Sequence, residues 1–343
     1  MKAVLKSKPG MGFEYRENVE KPGIGFGQVV VNVKATGICG SDIHLYKGEA
    51  IGALSELPIP FIPGHEFAGE IVEVAPHVTQ FKVGDRISAE LMVSCGHCFY
   101  CKQGQRAYCT EIRELGVDMN GSYAEYVAVP AQNLHLIPRN MVWEDAALCD
   151  CLSSALHPFE KLSAEILKTV VVLGAGPIGL CGVQIAKSIG AKTVISVDIV
   201  QQRLDLAKQL GADYAINPRE VDAVKEVQGL TDGIGADVVM EMAGSPATIT
   251  ASIEMVRKNG EVVWMGIHGE PVILKQFLVM SKAIHIHGSF DYTWLTFERA
   301  INLIASGRVK VKPFVTHVLP LREVSRAFDL LTKKEAIKVV LKP

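Results

Sequence analysis

The chain has 343 residues, about twice the usual length of one domain, with 48% apolar and 21% charged residues and a formal net charge of -2. Such a composition excludes a disordered or fibrous chain, and the near-neutral charge without a basic stripe speaks against nucleic-acid binding. The run from Met1 to Lys6 is too short for a signal peptide, and no later stretch reaches the roughly 18 apolar residues of a membrane span, so a cytoplasmic protein is expected.

Up to about residue 150, Gly and Pro break the sequence into short apolar runs such as Gln28-Val29-Val30-Val31-Asn32-Val33 and Gly69-Glu70-Ile71-Val72-Glu73-Val74. That is the rhythm of a twisted antiparallel β domain. Within it, Ile38-Cys39-Gly40-Ser41-Asp42-Ile43-His44 is followed about twenty residues later by Pro63-Gly64-His65-Glu66. Cysteine, histidine and a carboxylate can fill three positions around a catalytic zinc and leave one for water or substrate. Taken singly, the thiol and imidazole equally suit a satisfied core, and Glu66 a strand-end surface charge.

Further along stands Cys95-x2-Cys98-x2-Cys101-x7-Cys109, four thiols within fifteen residues. In a chain without an export signal, cysteines stay reduced, so a cluster this tight is read as metal-binding. Four thiolates with no open position make a closed, structural zinc site; an iron–sulfur cluster and a disulfide pair are the alternatives. The remaining cysteines, Cys149, Cys151 and Cys181, sit in apolar surroundings and suit small buried hydrophobes.

From about residue 165 short buried strands alternate with helices, the pattern of a parallel sheet covered on both faces. Strands are expected at 169–173, 193–197, 238–241, 262–265 and 284–287. The first leads into Gly174-Ala175-Gly176-Pro177-Ile178-Gly179, a G-x-G-x-x-G turn opening a helix over 180–189. Its glycines permit the tight turn, the close approach of a pyrophosphate and the packing of helix on strand. Asp198 ends the next strand, where a carboxylate bonds the ribose hydroxyls of NAD and repels the 2′-phosphate of NADP. Arg203, on the helix over 201–210, is placed to meet a phosphate, or else lies on a solvated face.

After Gly288 the alternation stops, and a helical stretch over 295–306 leads into a last Pro-punctuated β segment. The organisation expected is a nucleotide domain inserted into a β-rich one: 1–152, with the thiol loop at 95–109, then 153–288 as a doubly wound Rossmann sheet, then 289–343.

The residues carry a resemblance over essentially the whole chain. Cys39-Gly40-Ser41-Asp42-x-His44, Gly64-His65-Glu66, the four-cysteine loop, Gly121-Ser122-Tyr123-Ala124-Glu125-Tyr126, the glycine turn and Val315-Thr316-His317 resemble the medium-chain zinc-dependent dehydrogenases, sorbitol (polyol) and L-threonine branch. The resemblance implies an α/β protein with a GroES-like β domain, a Rossmann domain and the active site in the cleft. It further implies two zinc ions per chain and NAD as cofactors, with Cys39 and His65 on the catalytic zinc and Glu66 a ligand or exchangeable near-ligand. By the same resemblance Ser41 is implied to accept the substrate proton and His44 to pass it towards solvent. A homotetramer is common in the branch.

Two departures stand out. Where relatives have Glu-Pro-Leu, this chain has Asp150-Cys151-Leu152, and Asp150 is expected to complete the catalytic zinc site, unless it only caps a helix starting near Cys151. Phe290-Asp291-Tyr292 stands where sorbitol enzymes carry an arginine before the tyrosine, which weakens sorbitol itself as the substrate. The expected reaction is hydride transfer from a secondary alcohol, polyol or sugar-alcohol-like, to NAD, with L-threonine 3-dehydrogenation or oxidation of an amino-cyclitol or sugar phosphate as rivals. A non-catalytic NAD-binding relative would be expected to lose the zinc ligands or relay, and Cys39, Ser41, His44, His65 and Glu66 are all present.

Overall fold

The computed structural model describes residues 1–49, 57–163, 169–269 and 271–343. The chain divides into two units. One comprises Met1–Cys151, Tyr292–Ala305 and Val315–Pro343; the other comprises Leu152–Asp291 and Ser306–Phe314.

In the first unit the valine-rich strand Gln28–Gly37 is the hub. It pairs antiparallel with Glu66–Val74, with Tyr126–Pro130 and, at its C-terminal end, with Lys338–Lys342. Beyond these the sheet continues to Arg86–Ala89 and Leu134–Leu136 on one side and to Val315–Pro320 on the other. Alternate residues of the hub, Val29, Val31 and Val33, pack with Phe67, Ile71, Ile87 and Val129 in one core, as the two-residue period of a strand requires. A second core gathers Phe13, Leu45, Tyr123 and Phe328, with the Tyr46 ring stacked on Phe328 at 4.5 Å.

The second unit is a six-stranded sheet whose neighbouring strands all run parallel, in the order Tyr214–Ile216, Thr193–Val197, Thr169–Leu173, Ala236–Glu241, Val256–Trp264, His285–Gly288. Numbered along the chain this is 3-2-1-4-5-6, so the order reverses between Thr169–Leu173 and Ala236–Glu241, where a doubly wound sheet binds its nucleotide. Strand Tyr214–Ile216 has no counterpart among the expected strands. It is three residues long and its Tyr214 is exposed, so it lacks the apolar run that betrays a buried strand. Ser306–Phe314, expected in the β-rich part, stays with this unit. The Gln184 amide accepts the Lys310 N–H at 2.8 Å and donates to the Lys310 carbonyl at 3.1 Å. No helix among the described residues is long and apolar enough to cross a membrane.

One glycine sets the geometry below. Gly64 has φ +92, and a Cβ there would stand 2.2 Å from the Tyr123 ring. Both the left-handed backbone and the ring packed on it exclude a side chain. Gly64→Ala is therefore expected to destabilise the protein by about 2–4 kcal/mol, from backbone strain and overpacking together. Thermal and denaturant unfolding measure this, and wild-type stability would contradict the packing described.

Candidate active site and metal centres

The pairing of Gly37 with Glu66 sets the ends of two strands side by side. Cys39 follows the first strand, and His65 immediately precedes the second. Cys39 also caps the helix Gly40–Lys47, its backbone N–H donating to the Asp42 carboxylate at 2.9 Å. As a result the Cys39 thiol, a His65 ring nitrogen and a Glu66 carboxylate oxygen all lie within 4.8 Å of one another. His65 and Glu66 are buried and Cys39 is half-buried. Sulfur, nitrogen and oxygen donors in one buried group, three in number, suit a zinc with one position left open.

The surroundings support that fit. His65 Nδ1 and Asp42 Oδ1 are buried without a hydrogen-bond partner. Burial opposes charge on His65, but the Cys39 thiol and the Asp42 carboxylate beside it hold its proton well above the usual histidine range. Asp42 is held by the Tyr123 hydroxyl, which donates to it at 2.7 Å, and acts on His65 through its charge. Glu66 is ion-paired with the buried Lys338 ammonium, which also donates to the Ile38 carbonyl at 2.8 Å. Burial works against the Lys338 charge, yet Glu66 together with Cys151 and Cys39 keeps its pKa above the ordinary lysine value.

Asp150, expected to complete the catalytic zinc site, lies in the first turn of the helix Cys149–Glu160, so it does not stand ahead of that helix as its cap. Its carboxylate is outside the group in which Cys39, His65 and Glu66 come together. It accepts from the Tyr292 hydroxyl, which in turn accepts the Leu91 N–H at 3.3 Å. Burial pushes Asp150 up to about 6, held down by His65 and the Tyr292 bond and pushed up by Glu66. Of the two carboxylates, Glu66 and not Asp150 shares the compact donor group. Asp291 adopts a left-handed backbone at φ +54.

Ser41 and His44 share a face of the helix Gly40–Lys47, being three residues apart. His44 Nδ1 is 2.6 Å from Glu49 Oε2, and the His44 side chain is 44% exposed. The bond from His44 pulls the Glu49 carboxyl below its usual range. Glu49 carries no signal in the linear chain that marks it as a partner of His44.

The thiols of Cys95, Cys98, Cys101 and Cys109 converge, their sulfurs all within 4.8 Å of one another. Backbone N–H groups point at them: Cys95 donates to the Cys109 sulfur at 3.3 Å, Cys98 to the Cys95 sulfur at 3.4 Å, and Glu111 to the Cys109 sulfur at 3.3 Å. The amides of Cys101 and Thr110 hold the Cys98 thiol down to about 5, which favours the form that ligates a metal.

In the second unit Gly174 has φ +97, and a Cβ on Gly179 would stand 1.7 Å from the Gly174 carbonyl, whereas a Cβ on Gly176 would meet nothing. The glycine turn is therefore closed against its own helix and open at Gly176, the cap of Pro177–Ser188, where a pyrophosphate can meet the helix amides. Asp198 accepts from the Ala175 N–H at 2.7 Å and from the Val200 N–H at 2.8 Å. Arg203 Nη1 lies 3.9 Å from the Asp198 carboxylate and the side chain is largely covered, so it does not lie on a freely solvated face.

Comparison with known proteins agrees with this architecture. Residues 25–139 match the alcohol dehydrogenase GroES-like domain and residues 177–306 the zinc-binding dehydrogenase domain. An L-threonine 3-dehydrogenase of Pyrococcus horikoshii is 39% identical, covering 99% of this chain and 98% of that protein. A sorbitol dehydrogenase of Halalkalibacterium halodurans is 38% identical over 100% and 99%. Among solved structures, a zinc-binding dehydrogenase from Sinorhizobium meliloti bound to NADP superposes with a TM-score of 0.93 at 32% identity, covering 100% of this chain and 99% of that one. The chain belongs to the zinc-dependent medium-chain dehydrogenases, a family of oxidoreductases.

The ranking of the carboxylates is testable by metal analysis after dialysis. Glu66→Gln is expected to weaken retention of one zinc by at least about tenfold, a loss no smaller than that of an outer metal partner. Asp150→Asn is expected to keep both ions. The reverse pattern would restore Asp150 as the ligand.

Proposed function

We propose that the chain oxidises a secondary alcohol of a polyol or sugar-alcohol-like substrate, passing the hydride to NAD. The observation that supports this most directly is the three-donor group Cys39, His65 and Glu66. Two zinc ions per chain are proposed, one on that group and one on the four thiolates Cys95, Cys98, Cys101 and Cys109. A zinc in the three-donor site supplies the Lewis acidity that eases loss of the alcohol proton near neutral pH, and NAD supplies the hydride acceptor.

The rest falls to side chains. The Ser41 hydroxyl takes the substrate proton and His44, one helical turn on, receives it; its bond to the exposed Glu49 carries the proton to water. Lys338 keeps the Glu66 carboxylate in place, and the Asp42 charge lies close to His65. Gly174, Gly176, Pro177, Ile178 and Gly179 cradle the pyrophosphate, Asp198 takes the ribose hydroxyls and Arg203 flanks them. The relatives' names favour a second reading, oxidation of L-threonine at its secondary alcohol. Both substrates place a polar group beside the reacting carbon.

A homotetramer in the cytoplasm completes the proposal. It is supported by apolar residues left exposed on and before the helix Gln276–Lys282, namely Ile273, Phe277 and Met280, and by the gathering of Cys95, Cys98, Cys101 and Cys109 as free thiols, which fits a reducing compartment.

Following NADH absorbance across polyols, sugar alcohol phosphates and L-threonine tests the substrate class. Turnover of a polyol above L-threonine is expected, and no turnover of any secondary alcohol would overturn the proposal. Cofactor choice tests Asp198. Wild type is expected to prefer NAD, and Asp198→Ala to narrow that preference roughly ten- to hundredfold, the equivalent of losing about 1.5–3 kcal/mol of charge-assisted hydrogen bonding. Equal use of NAD and NADP by wild type would count against the assignment.

A further inference from the structure

His97 and Glu111 flank the four-cysteine loop on its exposed side. The Cys95 sulfur, a His97 ring nitrogen and a Glu111 carboxylate oxygen all lie within 4.8 Å of one another. His97 Nε2 is 3.8 Å from Glu111 Oε1, and the two side chains are 69% and 62% exposed. An ion pair that open to water contributes little to stability. Thiolate, imidazole and carboxylate are, however, three donor types that zinc accepts, and three protein donors leave the remaining position to water.

Two features connect this group to the four thiols. Cys95 belongs to both, so any ion at the outer group already touches one ligand of the inner one. His97 lies between Cys95 and Cys98, and Glu111 lies two residues beyond Cys109. An ion held by both therefore ties the start of the loop to its end, which removes loop-closure entropy before the last thiols engage. The Cys109 thiol is buried, so an ion arriving from solvent meets the outer donors before it meets that one.

We propose that Cys95, His97 and Glu111 form an open metal site that serves as the port through which a zinc ion enters and leaves the four-thiolate site. This rests on the reading of the four cysteines as a zinc site. On entry, His97, Glu111 and Cys95 replace water on the ion. The sulfurs of Cys98, Cys101 and Cys109 then displace His97, Glu111 and the remaining water. Each thiol still protonated gives its proton to solvent as it becomes a ligand, and no electron moves. On exit the same exchanges run backwards.

The test uses the protein prepared with Co2+ in place of zinc and mixed with excess Zn2+, which thiolates bind more tightly, following the loss over time of the intense thiolate-to-cobalt charge-transfer absorption of a four-thiolate site. His97→Gln and Glu111→Gln, singly and together, are expected to slow that loss, the double variant by roughly tenfold, the scale seen when outer partners of a metal are lost. Starting amplitude and thermal stability are expected to match wild type. Equal rates in variant and wild type would overturn the port and leave His97 and Glu111 a surface ion pair. A lower starting amplitude would also overturn it, by making the pair part of the equilibrium site. If wild type prepared with Co2+ shows no four-thiolate spectrum, the zinc reading of the cysteines fails, and the port with it.

Discussion

A buried carboxylate without a counter-charge is among the most costly groups a sheet can hold. Glu66 is such a group, and Lys338 is what makes it tolerable. The lysine sits on the last strand, Lys338–Lys342, which pairs with the end of the hub strand beside Glu66. The chain must therefore come back from the nucleotide-binding unit to the first one before the group of Cys39, His65 and Glu66 is electrostatically complete. Seen this way, the second unit is an insertion in a sheet that its own C-terminus closes. Removing either member of the pair would leave an uncompensated buried charge, while the pair itself need add little to stability. Its value is in fixing where the Glu66 oxygens stand.

The same economy of placement governs the backbone around the site. Gly64 lets the chain turn under the Tyr123 ring immediately before His65, and the hydroxyl of that ring holds Asp42. One aromatic residue thus couples the turn that positions His65 to the carboxylate whose charge acts on it. In the nucleotide-binding unit the close packing of Gly179 on Gly174 leaves Gly176 as the open position. The glycines are not interchangeable there: two serve the fold, and one leaves room for the ligand.

Much of this was legible in the sequence, because the signals were short-range. The glycine turn, the four-cysteine loop and the alternating apolar runs each occupy one contiguous segment whose residue types admit few structures. What escaped depended on residues distant in the chain. Lys338 is a charge inside the apolar run Ile337-Lys338-Val339-Val340-Leu341, which signals a buried partner but cannot name it. Asp150 fits zinc chemically, and only the fold shows Tyr292 taking its carboxylate. Glu49 became relevant when the turn after Gly40–Lys47 brought it back to His44. Strand Tyr214–Ile216 was missed because its short, partly exposed sequence carries no pattern at all.

The two donor groups divide along the same line. The four thiols come from one fifteen-residue loop, and the N–H groups that brace their sulfurs come from that loop or the residues just after it. Such a site can assemble from local chain alone and is closed once formed. The three-donor group draws Cys39 from one strand end and His65 and Glu66 from another, with Lys338 arriving from the C-terminus. It therefore exists only in the completed sheet, and because its donors are spaced by the fold rather than by a loop, nothing obliges a fourth to be present. An open coordination position, the requirement for chemistry, follows from building the site out of long-range contacts. A closed one, the requirement for stability, follows from building it out of neighbours.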